Sequence, residues 1–125
     1  MSADRVLIVE DDPKLASLLR RALNLKGAEA TVAEDGLLGR DLWATGGFDL
    51  VLLDVMIPGI DGISLCAERR AAGDQTPVML LTARDEEDTQ NRGMAAGATD
   101  YITKPFSFAD LISRVKLLLP GLEAH

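Results

Sequence analysis

Short, almost purely apolar runs recur along this chain, and they constrain its fold more than any other feature. They occupy residues 6–9, 30–33, 50–53 and 78–81, and residues 101–103 form a shorter fifth candidate. Runs that are apolar at successive positions, rather than at alternate ones, are typical of parallel strands covered on both faces. The sequence therefore predicts a five-stranded parallel sheet.

Helical patterns separate the predicted strands. In the clearest one, apolar residues follow the i, i+3, i+4, i+7 spacing of a single helix face, at Leu15, Leu18, Leu19, Ala22 and Leu25. Asp12 suits its N-cap, Pro13 its first position and Gly27 the turn after its end. Further helices are predicted, on similar stripes or a weaker acidic pattern, over residues 36–45, 62–72, 85–96 and 107–119, with Ser107 capping the last.

Strand and helix thus alternate five times, which predicts a flavodoxin-like (βα)5 fold, a doubly wound parallel α/β sheet with right-handed crossovers. The usual strand order, 2-1-3-4-5, places a ligand crevice at the carboxyl ends of strands 1 and 3. A chain of 125 residues that is 47% apolar suits one hydrophobic core. We expect a single domain over residues 1–120, followed by a disordered tail or cloning remnant over residues 121–125.

Charge and cysteine content exclude several classes of function. Thirteen Lys and Arg against 20 Asp and Glu give a net charge of −7, which disfavours nucleic-acid binding by this domain. The single cysteine, Cys66, cannot form an internal disulfide, and no apolar run approaches the roughly 18 residues of a membrane span. We therefore expect a cytoplasmic protein without membrane or nucleic-acid contacts.

Acidic residues follow the two strands that flank the predicted crevice. Glu10, Asp11 and Asp12 come after strand 1, and Asp54 comes after strand 3. Two like charges about 4 Å apart repel by about 4 kcal/mol at an effective dielectric near 20, so such a cluster needs a cation. Mg²⁺ binds carboxylates while keeping several waters, whereas a softer metal needs nitrogen or sulfur ligands that this chain lacks. The sequence therefore predicts a magnesium site.

A hydroxyl and an ammonium are predicted at the same edge of the sheet, because Thr82 ends strand 4 and Lys104 follows strand 5. A carboxylate nucleophile, a metal, a hydroxyl and a lysine are the groups that form and hold an acyl phosphate. The metal and Lys104 would stabilise the charge on the phosphoryl oxygens while Asp54 attacks in line. We predict phosphoryl transfer to Asp54.

Four motifs carry a family resemblance, and they lie in order at the predicted ends of strands 1, 3, 4 and 5. They are residues 8–12, 53–62, 81–83 and 100–106. Over residues 5–119 the chain resembles the receiver (CheY-like) domain of bacterial two-component response regulators, most closely the OmpR/PhoB branch. The resemblance implies a bacterial signalling switch rather than an enzyme, with at most self-phosphorylation and autodephosphorylation activity.

The resemblance also assigns the metal and phosphoacceptor residues. It implies that a partner histidine kinase donates a phosphoryl group to Asp54 and that Mg²⁺ is required. Asp11 and Asp54 match the direct metal ligands, Met56 matches the ligand that uses its backbone carbonyl, and Glu10 matches the acid that acts through water.

The switch residues are assigned in the same way. Thr82 and Tyr101 match the pair in which the hydroxyl turns to the phosphoryl group and the aromatic ring follows inward. Lys104 matches the lysine that contacts the phosphoryl group, and its bond to Pro105 is often cis in this family.

The implied output is a change in the face formed by helix 4, strand 5 and helix 5. That change would control transcription through a DNA-binding domain absent from these residues; the alternative is a stand-alone regulator that acts by protein–protein contact. Members of the branch dimerise through this face, so a homodimer is a further expectation. Asp100 and Arg114 match one of its charge pairs, whereas Gln90 and Ala95 stand where two other pairs need a charge.

Three rival functions follow from the same residues. A haloacid-dehalogenase-like phosphohydrolase needs a second aspartate as general acid two residues after the nucleophile, where this chain has Met56. A flavodoxin-like carrier would bind the FMN phosphate after strand 1, where Glu10, Asp11 and Asp12 repel it. A scaffold that no longer accepts phosphate is the third, and the complete set of site residues counts against it.

Overall fold

Strands and helices alternate along the chain in the computed structural model, which describes residues 3–83 and 87–122. The strands are β1 Arg5–Val9, β2 Glu29–Ala33, β3 Leu50–Asp54, β4 Val78–Ala83 and β5 Asp100–Lys104. The helices are α1 Pro13–Leu25, α2 Gly36–Ala44, α3 Gly62–Ala71, α4 Glu87–Ala95 and α5 Phe108–Leu118. These bounds confirm the predicted elements to within two residues; the predicted first residues of α4, 85 and 86, lie outside the described residues.

The sheet is parallel and has the order β2-β1-β3-β4-β5, as predicted. Helices α1 and α5 cover one face, where Leu19 and Leu111 belong to one apolar cluster with the strands. Helices α2 and α3 cover the other face, where Trp43 and Leu65 belong to a second cluster. The carboxyl ends of β1 and β3 are therefore adjacent, at the point where the direction of winding reverses.

The ends of α1 and α5 follow the predicted local chemistry. The Asp12 carboxylate accepts a hydrogen bond from the Lys14 amide at 3.0 Å, Pro13 is the first helical residue, and Gly27 has a φ of 91°. Ser107 caps α5 in the same manner. Because these caps satisfy backbone groups that the helices leave free, they fix where both helices begin, and Gly27 allows the turn that ends α1.

The predicted buried face of α1 requires correction. The side chains it buries are Ala16, Leu19 and Leu23, while Leu18 is 42% exposed and Leu25 is 78% exposed. Leucines occur around most of this helix, so periodicity alone was insufficient to choose among possible stripes. Contact with the strands selects the face centred on Leu19.

Packing continues beyond residue 120, where the predicted domain ends. Leu122 is 7% exposed, lies in the same apolar cluster as Leu119, and donates its amide to the Leu119 carbonyl at 3.0 Å. Burial of this leucine holds the chain on the domain beyond residue 120, and residues 123–125 lie outside the described residues. No helix in the described part of the chain is long and apolar enough to cross a membrane.

Candidate functional site

The polar residues predicted to converge do so at the carboxyl edge of the sheet. Val9 pairs with Leu53, which sets Glu10 beside Asp54. The next pairings, Asp54 with Leu81 and Ala83 with Lys104, bring the ends of β4 and β5 to the same edge. Strand register alone therefore assembles residues that are far apart in the sequence.

Three carboxylates form the centre of this site. Glu10, Asp11 and Asp54 each offer one oxygen, and these oxygens all lie within 4.8 Å of one another. Glu10 and Asp54 are 1% and 5% exposed, whereas Asp11 faces solvent. Oxygen donors that are buried on one side and open to water on the other suit Mg²⁺, which keeps part of its hydration shell. The donor set fits the predicted metal.

Lys104 supplies positive charge to the two buried carboxylates. Its Nζ lies 2.7 Å from Asp54 Oδ2 and 2.8 Å from Glu10 Oε1. Although burial lowers the pKa of Lys104, its hydrogen bonds to these carboxylates raise it above the ordinary value overall. Burial, reinforced by the neighbouring Asp54, raises the pKa of Glu10 to about 7. The carboxylates therefore lie where an added cation is stabilised.

Backbone amides orient the same carboxylates. Asp54 Oδ1 accepts a hydrogen bond from the Met56 amide at 2.9 Å, and Glu10 Oε2 accepts one from the Asp12 amide at 3.1 Å. Each buried carboxylate thus has one oxygen on Lys104 and the other on an amide two residues along the chain. The Met56 side chain is 78% exposed at the rim.

Thr82 has a hydroxyl without a hydrogen-bond partner. The residue is 2% exposed, and its Oγ1 is buried and unpaired within the part of the chain that the structure describes. A buried hydroxyl left unpaired costs about 1–3 kcal/mol, and this one is free to bond a group that enters the site. Tyr101, on the neighbouring strand, is half-buried and packs on the apolar cluster of α2 and α3.

The Lys104–Pro105 peptide bond is cis, as the resemblance implies. Arg114, which the resemblance places in a charge pair of a dimer, contacts two carboxylates of its own chain. Arg114 NH1 is 3.2 Å from Asp100 Oδ2, and Arg114 Nε is 3.3 Å from Asp110 Oδ1. These contacts connect α5 to β5.

Sequence reasoning missed two glycines that pack closely against the connection between β3 and α3. They are Gly36 and Gly62, the first residues of α2 and α3. The available signal was a repeated pair of residues, Asp-Gly, which occurs at the start of each of these helices.

Known proteins are similar to this chain in both sequence and fold. The model of the response regulator receiver domain matches residues 6–116. Transcriptional regulatory protein YkoG of Bacillus subtilis is 43% identical over 119 residues, which are 95% of this chain and 52% of YkoG. Response regulator MprA of a Mycobacterium species is 42% identical over 115 residues, which are 92% of this chain and 50% of MprA. The chain therefore spans about half the length of these curated relatives.

Solved structures agree with these relatives. The receiver domain of Francisella response regulator 1452 has a TM-score of 0.89 and 38% identity, covering 94% of this chain and 97% of its own. The BeF3-activated N-terminal receiver domain of Klebsiella pneumoniae RstA has a TM-score of 0.87 and 35% identity, covering 93% and 98%. By sequence, fold and site, this chain belongs to the response regulator receiver domain family of two-component systems.

Proposed function

We propose that this domain is a phosphorylation-dependent switch that accepts a phosphoryl group from a histidine kinase on Asp54 in the presence of Mg²⁺. The contact that carries the proposal is the bridge from Lys104 to both Asp54 and Glu10, beside the unpaired Thr82 hydroxyl. In this arrangement Asp54 would be the nucleophile, Lys104 the compensating charge and the Thr82 hydroxyl a free hydrogen-bond donor.

The metal would be held by the carboxylates of Asp11 and Asp54 and by the Met56 carbonyl, with Glu10 acting through a water. When bound, Mg²⁺ supplies positive charge to the oxygens of the transferring phosphoryl group. The spacing of the three carboxylate oxygens supports this assignment. The two buried acids, Glu10 and Asp54, share a single lysine, and the metal would supply the positive charge that this edge still lacks.

In the reaction, a carboxylate oxygen of Asp54 attacks the phosphorus of a phosphohistidine. The new O–P bond forms an acyl phosphate as the N–P bond breaks, and the bonding pair leaves with the imidazole nitrogen. Lys104 then contacts a phosphoryl oxygen, and the Thr82 hydroxyl donates to another. The burial of Thr82 supports this last role, because its hydroxyl gains its missing partner only in the phosphorylated state.

Docking of the kinase beside Asp54 is supported by an apolar cavity of about 470 Å³ between α1 and the connection from β5 to α5. Its lining includes Leu15, Leu18, Phe106 and Phe108, and it shares Lys104 with the site. An apolar side chain of the donor protein would be buried there as the phosphohistidine approaches. Leu18, which was predicted to face the core but is exposed, would contact the donor protein in this arrangement.

We propose that the output is transmitted through the α4-β5-α5 face, because Tyr101 lies on β5 and Thr82 precedes α4. Control of transcription through a DNA-binding domain is supported by curated relatives about twice as long as this chain. The alternative is a stand-alone regulator that acts by protein–protein contact through the same face, on which Arg114 pairs with Asp100 and Asp110. In both cases we place the protein in the cytoplasm, where its kinase domain partner would act.

The test is incubation with acetyl phosphate and Mg²⁺, followed by intact mass measurement. We expect a gain of one phosphoryl group that requires Mg²⁺ and disappears in Asp54→Asn. The exposed Asp41 offers a matched control, since Asp41→Asn makes the same chemical change away from the site. A gain that persists in Asp54→Asn would refute Asp54 as the acceptor. No gain from either acetyl phosphate or a phosphorylated histidine kinase would refute the switch itself.

A further inference from the structure

The connection between β3 and α3, residues 55–61, carries Met56 and with it the proposed carbonyl ligand of the metal. Close to the sheet, this loop is held by the Met56 amide on Asp54 and by the Val55 amide, which donates to the Leu81 carbonyl at 3.0 Å. Farther along, the buried Ile57 and the rigid ring of Pro58 leave little freedom between Met56 and the outer part of the loop. Whatever fixes Pro58 therefore also constrains Met56.

Two helix starts of the same construction hold the loop from opposite ends. Residues 35–36 begin α2 and residues 61–62 begin α3, each with an aspartate as N-cap and a glycine as the first helical residue. The amide of a first helical residue has no partner inside its helix. The first glycine donates this amide to the Pro58 carbonyl at 2.8 Å, and the second donates to the Val55 carbonyl at 3.0 Å.

Neither glycine has room for a side chain. A Cβ on Gly36 would lie 2.6 Å from Ile60 Cγ2 and 2.9 Å from Ile60 N, and it would meet the Ile60 carbonyl oxygen. A Cβ on Gly62 would meet the Asp54 carbonyl oxygen and lie 3.0 Å from Val55 Cα. Backbone atoms cannot rotate away as a flexible side chain does, so any side chain at these positions displaces the loop.

We propose that Gly36 is a positioning residue for the metal site, because the start of α2 fixes the Met56 carbonyl through residues 58–60. The inference rests on the proposed magnesium site and extends it to a helix that contributes no carboxylate to the cluster. Mg²⁺ requires near-octahedral ligands at about 2.0–2.1 Å, so it is sensitive to displacements of a few tenths of an ångström. The loop must move by at least that much to admit a Cβ at Gly36.

The test compares Gly36→Ala with Gly39→Ala, which makes the same change one turn later in the same helix. The three atoms nearest to a Cβ on Gly39 all belong to the Val9 side chain, at 2.8, 2.9 and 3.5 Å, rather than to the loop. Calorimetric titration of the metal-free proteins with MgCl₂ measures Kd, and thermal melting reports stability. Because outer positioning contacts are typically worth about 10–100-fold in metal affinity, we expect Kd to rise at least about 10-fold in Gly36→Ala.

Gly39→Ala is expected to lower Tm while leaving Kd within about two-fold of the unmodified protein. Equal losses of affinity in the two variants, or an unchanged Kd in Gly36→Ala, would overturn the proposal. If the unmodified protein shows no Mg²⁺ binding, or if Asp54→Asn binds as well as it does, the metal site itself fails, which is a distinguishable outcome.

A milder pair of variants keeps the proposal testable if Gly36→Ala does not fold. Asp35 caps α2 by accepting the Leu38 amide at 2.8 Å, and Asn is an equally good capping residue. Asp35→Ala loosens the first turn of α2 and is expected to raise Kd about 3-fold or more, whereas Asp35→Asn retains the original affinity. Identical affinities in these two variants would overturn the role of the α2 start.

Discussion

Leu52 and Asp54 lie two residues apart on β3 and face the same side of the sheet, but they are buried for opposite reasons. Leu52 is fully buried in the apolar cluster of α1 and α5. Asp54 is 5% exposed, and Lys104 and the Met56 amide offset the loss of water around its charge. The middle of the sheet stabilises the fold, and its carboxyl edge uses that stability to hold charges close together.

This difference shows that burying a side chain can either raise or lower the stability of the fold. Removing apolar surface from water favours folding by about 25 cal/mol per Å², whereas burying a polar or charged group is unfavourable unless it is paired. The change from one regime to the other occurs within one residue at the ends of three strands, at Val9 to Glu10, Leu53 to Asp54 and Leu81 to Thr82. Substitutions on either side of that boundary should therefore behave differently.

The largest effect is expected in the middle of the sheet. Leu52→Ala removes buried methyl groups and leaves a cavity, which should lower the free energy of unfolding by about 2–5 kcal/mol. Urea denaturation measures the change. Leu25→Ala is the matched control, because Leu25 is 78% exposed and its truncation should alter stability by less than about 0.5 kcal/mol. Similar losses in the two variants would contradict the assigned cores.

The next effect separates the edge from the middle. Lys104→Met keeps the apolar stem but leaves Glu10 and Asp54 facing each other without the ammonium. Because Lys104 is 30% exposed, the expected loss of stability in metal-free solution is about 2–3 kcal/mol, below the value for a fully buried pair. Mg²⁺ should recover part of this loss, while Leu52→Ala gains no more from Mg²⁺ than the unmodified protein does. A loss that Mg²⁺ leaves unchanged would contradict the proposed metal site.

The sequence predicted the middle of the sheet more fully than its edge. Continuous apolar runs, helical periodicity and the caps at Asp12 and Ser107 were sufficient for the strands and helices, and the usual strand order of such a fold was correct for the sheet. The face of α1 was wrong, since the choice among its many leucines depends on strands that are distant in sequence. Leu122 was assigned to the tail for a related reason: a single leucine after Pro-Gly has no periodicity that indicates burial.

At the edge, the sequence predicted which residues meet but not how they are held. Strand ends bring Glu10, Asp54, Thr82 and Lys104 together once the strand order is known. The division of each buried carboxylate between Lys104 and an amide depends on side-chain geometry that no spacing encodes. The role of Gly36 was missed because it arises from close contact between backbones, which leaves only a glycine in the sequence.

The pH dependence of stability provides a smaller effect at the edge. The pKa of Glu10 is about 7 in the folded protein and 4.5 in the unfolded chain. Between these values the folded state keeps a proton that the unfolded state has lost, so this group's stabilising contribution falls as pH rises and is lost above pH 7. Glu10→Gln removes this dependence.

We expect the metal-free variant to gain on the order of 1–2 kcal/mol relative to the unmodified protein between pH 4.5 and pH 8. Urea denaturation across that range, with a chelator present, measures the difference. Asp41→Asn should run parallel to the unmodified protein, because Asp41 is exposed. A parallel curve for Glu10→Gln as well would contradict the assignment of this titration to Glu10.

The smallest effect tests whether exposure, rather than the number of ion pairs, separates the charges at the edge from charges elsewhere. Arg114 has two carboxylate partners, as Lys104 does, at 3.2 Å and 3.3 Å, and its side chain is 39% exposed. Carboxylates in contact with water are already well solvated, so Arg114→Ala should lower stability by less than about 1 kcal/mol, with most of that loss absent at high salt. Urea denaturation at low and high NaCl measures both values, and sedimentation at each salt concentration reports whether the protein is a monomer or a dimer. A loss equal to that of Lys104→Met would show that two ion pairs stabilise the protein equally at either exposure, and the distinction between the edge and the rest of the surface would fail.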